Sequence, residues 1–291
     1  MLDGVLKIGN SIPRLDMVKS DDYRTTAEGF CNGLICLHRF MCATITLLNP
    51  STKEYKILPP VPRRSGGFHA HGIVYDPVGD DYKVVRVVLV YEDPDHASSQ
   101  VMVYGLRSSM WRRVCEGFKY FLYWPPESMR NPGVLVDGAL HWLACRDQTD
   151  LFDIAVGFDP VDEEYWVIEV PNVSSVCYGT LGVLDGCLCI LYAINEQEAF
   201  ELWVMNDYMV EESWTKVFTL MLTVPNLDSM YGTQCARVLA YSNNSREVFL
   251  LYMFGKLMWY YLKEKRVIDL GICAIAADVN VKSLFKLNHY Q

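Results

Sequence analysis

Apolar runs separated by turn signals predict strands rather than helices along this chain. The clearest stretch, residues 181–217, contains four such runs, at 181–184, 187–192, 200–205 and 214–217. Its first two runs meet at Asp185-Gly186, a dipeptide that supplies the positive φ angles of a two-residue hairpin turn. The stretch therefore predicts a four-stranded antiparallel meander, which needs neighbours of the same shape to bury its faces.

The same pattern recurs along the chain. Hairpin turns centre near residues 33, 79, 138, 186 and 244, and a last strand follows each of them, at Tyr55, Trp111, Trp166, Trp214 and Val267. Successive turns are about 46 to 59 residues apart, close to the period of roughly 50 residues in kelch-type propellers. We therefore predict an all-β chain that forms a β-propeller-like ring of four-stranded antiparallel repeats, with five countable. Strand-like runs at 5–8 and 272–281 could pair into a sixth repeat that closes the ring, and a less regular β-sandwich is the alternative.

Polar residues beside Gly or Pro recur at the turns, namely Asn49, Asp76, Asp137, Asp159 and Asp185. We predict that they accept local backbone hydrogen bonds and do not form a ring of acids. The tryptophans of the last strands are predicted to pack between neighbouring sheets.

Composition narrows the classes of function. The chain has 291 residues and a net charge of −9, which argues against nucleic-acid binding, since phosphate contacts need clustered Lys and Arg. Its apolar runs are too short to cross a membrane, and residues 2–7 do not resemble a signal peptide. We therefore expect a single domain over 1–291 in the cytoplasm or nucleus, with reduced cysteines that pack as small hydrophobic groups and with no membrane partner.

The sequence predicts no catalytic residue and no cofactor, because it lacks a phosphate-binding loop, a nucleophile elbow and a zinc-protease motif. An enzyme built on a propeller is the less favoured alternative, for which His141 and Tyr82 are the candidates, and they do not recur between repeats. His69 and His71 share a strand face and could hold a metal with a third ligand. No third ligand is identifiable in the sequence, so we predict no metal site.

Three segments do not repeat and are predicted to be loops that bind a protein partner. They are 63–69, which is Gly-rich and basic, 91–99, which is acidic, and 120–130, which combines four aromatic residues with two prolines. The candidate binding residues are Arg63, Arg64, His69, Asp93, His96, Tyr120, Tyr123 and Trp124. The alternative for the aromatic residues is that they pack on their own propeller.

Six motifs, in this order, carry a resemblance to a known family: Cys31-Asn32-Gly33-Leu34-Ile35-Cys36, Leu48-Asn49-Pro50-Ser51-Thr52, Asp80-Asp81-Tyr82-Lys83-Val84-Val85-Arg86, Gly138-Ala139-Leu140-His141-Trp142, Gly182-Val183-Leu184-Asp185-Gly186-Cys187-Leu188-Cys189 and Trp214-Thr215-Lys216-Val217. Together they resemble the F-box-associated domain of plant F-box/kelch-type proteins. The resemblance covers about residues 30–270.

In that family an F-box binds the Skp adaptor of a cullin-based ubiquitin ligase, and the associated domain captures the protein to be degraded. The resemblance implies a non-enzymatic substrate-recognition domain of an SCF-type ligase whose target is an unknown protein. Only about thirty residues precede Asn32-Gly33, and they do not resemble an F-box. Skp adaptor and cullin are therefore expected as partners only where an F-box is supplied upstream. A stand-alone scaffold or competitor without ligase recruitment is the alternative.

Overall fold

The structure is a computed structural model that describes part of the chain. The described residues are 25–39, 44–61, 66–93, 96–114, 120–122, 131–146, 152–194, 199–221, 236–241, 248–253, 256–273 and 287. Their secondary structure is almost entirely β, with one short 3-10 helix, Glu211–Ser213, before the last strand of the fourth sheet.

The strands form five sheets, each an antiparallel meander in chain order. The first sheet contains β1 (Thr25–Cys31), β2 (Leu34–Arg39), β3 (Thr44–Asn49) and β4 (Glu54–Ile57), and the second contains β5 (Gly66–Asp76), β6 (Asp81–Asp93), β7 (His96–Gly105) and β8 (Met110–Arg113). The third contains β10 (Val134–Val136), β11 (Ala139–Cys145), β12 (Ile154–Phe158) and β13 (Tyr165–Glu169), with β9 (Phe121–Leu122) added on β11. The fourth contains β14 (Val176–Leu184), β15 (Cys187–Ile194), β16 (Ala199–Met205) and β17 (Trp214–Met221), and the fifth contains β18 (Arg237–Tyr241), β19 (Val248–Met253), β20 (Lys256–Tyr261) and β21 (Arg266–Cys273).

The first strands of the sheets face one another at the centre of the molecule. β1 contacts β5 and β10, and β14 contacts β10 and β18. Glycine allows this close approach: a Cβ atom at Gly133 would lie 2.9 Å from the Gly72 Cα and 3.1 Å from the His71 carbonyl oxygen. The five sheets are thus the blades of a five-bladed propeller, as the repeat pattern predicts.

The tight hairpin turns have the predicted chemistry. Both central residues have positive φ in the Asn32-Gly33, Asp137-Gly138 and Asp185-Gly186 turns, as a type I′ turn requires. Asn49, Asp76 and Asp159 each accept two backbone N–H groups from the residues that follow them, at 2.6 to 3.4 Å. The turn predicted near 244 lies outside the described residues.

The two ends of the propeller differ in the connections that they carry. In a four-stranded meander, the connections between strands one and two and between strands three and four lie at one end, which we call the turn face. The connections between strands two and three and the links from blade to blade lie at the opposite end, which we call the link face. Four of the five first hairpin turns on the turn face have two to four residues.

The hydrophobic core lies between neighbouring blades. One cluster joins blades three, four and five around Tyr192 and Phe200, a second joins blades two and three around Trp142, and a third joins blades one and two around Leu34 and Tyr104. Each cluster combines inward-facing residues of two or more sheets, so no blade buries its faces alone.

The last-strand tryptophans pack against these clusters, as predicted. The Trp111 indole donates to the Pro59 carbonyl at 2.9 Å, and the Trp214 indole donates to the Glu169 carbonyl at 3.0 Å. Both acceptors lie at or just beyond the end of the preceding blade's last strand. The two indoles therefore fasten blade two to blade one and blade four to blade three.

The expected sixth repeat is not formed by the described residues. Ile272 belongs to β21, the last strand of blade five, while residues 5–8 and 274–281 lie outside the described part. Leu287 is fully buried against blade one, and its N–H donates to the Glu54 carboxylate at 2.8 Å. Among the described residues, no helix is long and apolar enough to cross a membrane.

Candidate binding face of the propeller

The described parts of the three segments predicted to bind a partner, 66–69, 91–93 with 96–99, and 120–122, lie at the link face, beside a blade-to-blade link or a connection between strands two and three. Arg63 and Arg64 lie outside the described residues. His69 does not lie in a loop, because β5 already begins at Gly66. The prediction of a loop over 63–69 is thus wrong for 66–69. Gly66 and Gly67 suggested a loop, but they lie at the start of β5, where its pairing with β6 is irregular.

The acidic segment 91–99 is also mostly strand. β6 continues to Asp93 and β7 begins at His96, and these two residues are directly paired. The polar residues hid this extension of the hairpin, because they interrupt the apolar alternation by which a strand is recognised in a sequence. Asp93 and His96 therefore lie at the tip of a hairpin on the link face.

The aromatic segment 120–130 begins with the added strand β9. Leu122 pairs with Ala144 of β11, and the amide of Asn131 contacts the next position, Leu143. The Asn131 Nδ2 donates to the Leu143 carbonyl at 2.8 Å, and the Leu143 N–H donates to the Asn131 Oδ1 at 3.4 Å. Leu122 and Asn131, which flank segment 123–130 in the sequence, are thus fixed at adjacent positions of one buried strand.

The structure describes only one of the three candidate aromatic residues, Tyr120. Tyr120 is half-buried and its ring meets Tyr165 of its own blade edge to face, with 6.2 Å between centroids. For this residue the contact supports the alternative of packing on its own propeller. Tyr123 and Trp124 lie outside the described residues, between the two fixed ends.

An ion-pair network lies beside the aromatic segment. The Arg146 guanidinium contacts the carboxylates of Asp153, at 2.8 Å, and of Glu169. These contacts raise the pKa of Arg146. All three side chains are about half exposed, so the network offers charged groups to a partner and adds little stability.

Three histidines lie together between blades one and two. His38 of β2 is brought against His69 and His71 of β5, and the Nε2 atoms of His38 and His69 are 3.2 Å apart. The three ring centroids are 4.6, 4.7 and 5.0 Å from one another. His38 and His71 are buried, whereas His69 is half-buried.

A buried carboxylate lies beside these rings. Glu28 is only 3% exposed, and its Oε2 is 3.9 Å from the His71 Nδ1. It occupies a β-bulge: Ala27 and Gly29 pair with consecutive residues of β2, so Glu28 has no partner in the ladder. A bulge re-aims the side chain of the extra residue. The Thr26 hydroxyl donates to Glu28 at 2.5 Å.

Sequence reasoning missed His38 and Glu28. The alternation on β2, where Leu34 and Cys36 are buried, indicates that His38 faces inward. Nothing in the sequence shows that this face meets β5, because the contact depends on how two blades pack. The third imidazole that the His69 and His71 pair lacked is therefore supplied by a neighbouring blade.

The two candidates for an enzyme site lie in different blades. Tyr82 is a buried residue of β6, and His141 is a fully buried residue of β11. The His141 Nε2 accepts from the Tyr208 hydroxyl at 2.7 Å, and its Nδ1 donates to the Val134 carbonyl at 3.3 Å. Burial lowers the pKa of His141 to about 4, which keeps the ring neutral. The Tyr208 contact joins blades three and four and gives His141 a structural role.

Six cysteines of the described part carry free thiols, namely Cys31, Cys36, Cys145, Cys177, Cys187 and Cys189. Burial raises the pKa of Cys31 and Cys189 to about 12, so these thiols stay protonated. Cys189 packs inside blade four, as the strand alternation predicts, whereas Cys187 is half-buried.

The model of the F-box associated beta propeller domain family matches residues 9–278. Two similar proteins of Arabidopsis thaliana are F-box protein CPR1, 32% identical over 287 residues, and F-box protein At4g22390, 29% identical over 281 residues. Each match covers 89% of this chain and 68% of the relative.

A solved structure with a similar fold is that of YjhT, with a TM-score of 0.50 and 8% sequence identity. The superposition covers 81% of this chain and 80% of that one. At this identity the similarity concerns the fold alone.

Proposed function

This chain belongs to the F-box associated beta propeller domain family, and we propose that it is the target-binding part of an SCF-type ubiquitin ligase in the cytoplasm or nucleus. The observation that carries the proposal is the family match over 9–278, together with relatives that are F-box proteins. The whole chain acts as one binding domain, and it contacts the Skp adaptor and cullin only where an F-box is supplied upstream.

In this role the chain catalyses no reaction itself. It holds a target protein close to the ubiquitin-charged subunit, which raises the effective concentration of the target's lysines. The full burial of His141 and its hydrogen bond to Tyr208 support this over an enzyme built on the propeller.

We place the target on the link face. The fixed positions of Leu122 and Asn131 support this choice, because they hold both ends of the aromatic segment 123–130 on a rigid strand. A loop that a rigid scaffold positions in this way loses less conformational entropy on binding. Tyr123 and Trp124 are the proposed anchors, since aromatic residues dominate the energy of protein interfaces.

The proposal is tested by capturing proteins from plant tissue with the 291-residue chain and comparing two double variants. Tyr123→Ala/Trp124→Ala removes the proposed anchors. Tyr55→Ala/Val78→Ala is the matched control, because it removes two exposed apolar side chains away from the link face. We expect the first variant to capture at least tenfold less target than the unaltered chain, and the control to capture the same amount. Equal capture by both folded variants would place the target elsewhere.

A second measurement separates a ligase receptor from a competitor. The captured target's half-life is measured in cells that produce the chain alone and in cells that produce it fused behind an F-box. A receptor shortens the half-life only as the fusion, and the chain alone protects the target. If the fusion recruits the adaptor yet leaves the half-life unchanged, the chain is a scaffold and the ligase role is wrong.

A further inference from the structure

We propose that the His38, His69 and His71 side chains form a site for a divalent transition-metal ion, with zinc the favoured ion, that ties blade one to blade two. The three rings come from two blades, and one ligand atom from each can be chosen so that all lie within 4.8 Å of one another. This function is separate from target binding and does not depend on it.

The spacing of the rings fits tetrahedral coordination. Zinc binds imidazole nitrogen at about 2.0–2.1 Å, so two nitrogen ligands of a tetrahedral ion lie about 3.3 Å apart and their ring centroids about 5 Å apart. The Nε2 atoms of His38 and His69 are 3.2 Å apart. The three centroid separations are 4.6, 4.7 and 5.0 Å. The His38 and His69 nitrogens already have the required separation, and rotation of the rings has to bring the His71 nitrogen, now within 4.8 Å of both, to the same distance.

Glu28 completes the arrangement. Histidine ligands commonly direct their second ring nitrogen at a carboxylate, which orients the ring and strengthens its bond to the metal. The Glu28 Oε2 lies 3.9 Å from the His71 Nδ1, which leaves His71 Nε2 for the metal. An approach of about 1 Å would make this contact a hydrogen bond.

Two charged residues lie near the three rings, Glu28 and Arg86. A buried carboxylate is costly unless a positive charge is near it, and Glu28 is 3% exposed. A divalent ion bound by the neutral imidazoles brings positive charge towards Glu28, with the His71 ring between the ion and the carboxylate. Arg86 pairs with His71 in the β5–β6 ladder, and the Glu28 carboxylate offsets its positive charge.

The backbone is shaped to bring these groups together. The bulge in β1 turns Glu28 out of the ladder. Gly29 follows it, and a Cβ there would lie 3.1 Å from the Ile73 N and 3.3 Å from the Gly72 Cα. Glycines beside Glu28 and His71 thus let β1 and β5 approach until the carboxylate faces the imidazole. His69, the half-buried member, is the ligand nearest to solvent and gives the ion a route of entry.

The test uses the purified 291-residue chain, stripped with a chelator and titrated with Zn²⁺ against a chromophoric competitor. We expect one equivalent to bind tightly and to raise the melting temperature. Co²⁺ in place of Zn²⁺ should give the visible spectrum of a four-coordinate nitrogen and oxygen site, without thiolate charge-transfer bands. No binding of either ion, or a spectrum with thiolate bands, would overturn the proposal.

Single variants locate the site. His69→Gln removes the ligand closest to solvent and should weaken zinc affinity by roughly 100-fold or more, while Glu28→Gln should weaken it by about 10–100-fold. His141→Gln is the control, because that histidine lies in blade three and bonds Tyr208; its zinc affinity should match the unaltered chain. If His69→Gln, shown to be folded by circular dichroism, binds zinc as tightly as the unaltered chain, His38 and His69 form only a hydrogen-bonded pair.

Discussion

The two faces of the propeller are built by different means. On the turn face, residues close in sequence fix the backbone: Asp137-Gly138 and Asp185-Gly186 turn the chain through positive φ angles, and Asp159 accepts the N–H groups that follow it. On the link face and at the centre, the decisive contacts join residues far apart in the chain. Asn131 bonds Leu143, and His38 meets His69.

This difference governs how each region responds to substitution. A turn residue stabilises a conformation that its neighbours already favour, so replacing it costs a local amount. A residue where two blades meet is constrained by atoms that cannot move without shifting another sheet. We therefore expect larger losses of stability from changes at the blade contacts than from equal changes in the turns.

The largest effect is expected for Gly133→Ala. The added Cβ would lie 2.9 Å from the Gly72 Cα, 2.9 Å from the Trp142 ring and 3.1 Å from the His71 carbonyl oxygen. Two of these neighbours are backbone atoms of β5, so relief of the clash requires blades two and three to separate. We expect a loss of about 3 kcal/mol or more in the free energy of unfolding, since overpacking of rigid sites reaches that range, measured by urea denaturation.

Gly138→Ala is the matched control on the turn face. Gly138 has φ +79° and nothing within 4 Å of the position of an added Cβ. The variant is therefore destabilised only because alanine must adopt the left-handed backbone conformation, which costs a non-glycine residue about 1–2 kcal/mol. If Gly138→Ala destabilised the fold as much as Gly133→Ala, the contrast between the faces would fail.

Acidification is expected to have an intermediate effect on the stability of the fold. It acts on a contact that joins two blades, unlike the local contacts that dominate the turn face. His141 is held neutral between Tyr208 of blade four and Val134, and burial lowers its pKa from 6.5 to about 4. The unfolded chain therefore binds a proton at this residue below pH 6.5, whereas the folded chain does not until about pH 4. Stability from this group is present above pH 6.5 and is lost as the pH falls towards 4.

Protonation at His141 should lower the free energy of unfolding by about 2 kcal/mol between pH 7 and pH 5. The measurement compares urea denaturation at both pH values for the unaltered chain and for His141→Gln, which cannot take up the proton. The variant should be less stable at pH 7 and should lose less stability on acidification. An identical pH dependence in the two proteins would show that His141 is not kept neutral by burial.

Much of the fold could be predicted from the sequence, because its signals are local. Asn32-Gly33 and its equivalents mark the hairpins, and Trp111 and Trp214 mark the last strands. The candidate site was predicted less well. His38 and Glu28 are placed by the packing of blade one on blade two, and the strands that reach Asp93 and His96 carry no apolar alternation there that would mark them in the sequence. Whether Tyr123 and Trp124 bind a target stays a prediction.

The smallest effect is expected for Arg107→Ala on the turn face. Arg107 pairs with Asp80, and the two side chains are 47% and 66% exposed. Solvent screens such a pair, so its loss should change the free energy of unfolding by less than about 0.5 kcal/mol.

Lys83 on the same face provides the contrast: it is 12% exposed and lies 2.8 Å from Asp76 and 3.4 Å from Glu163 of the next blade. Lys83→Ala leaves the shielded Asp76 carboxylate without this cation, so urea denaturation should show a loss several times larger. Equal losses for the two variants would mean that burial adds nothing to the strength of an ion pair here.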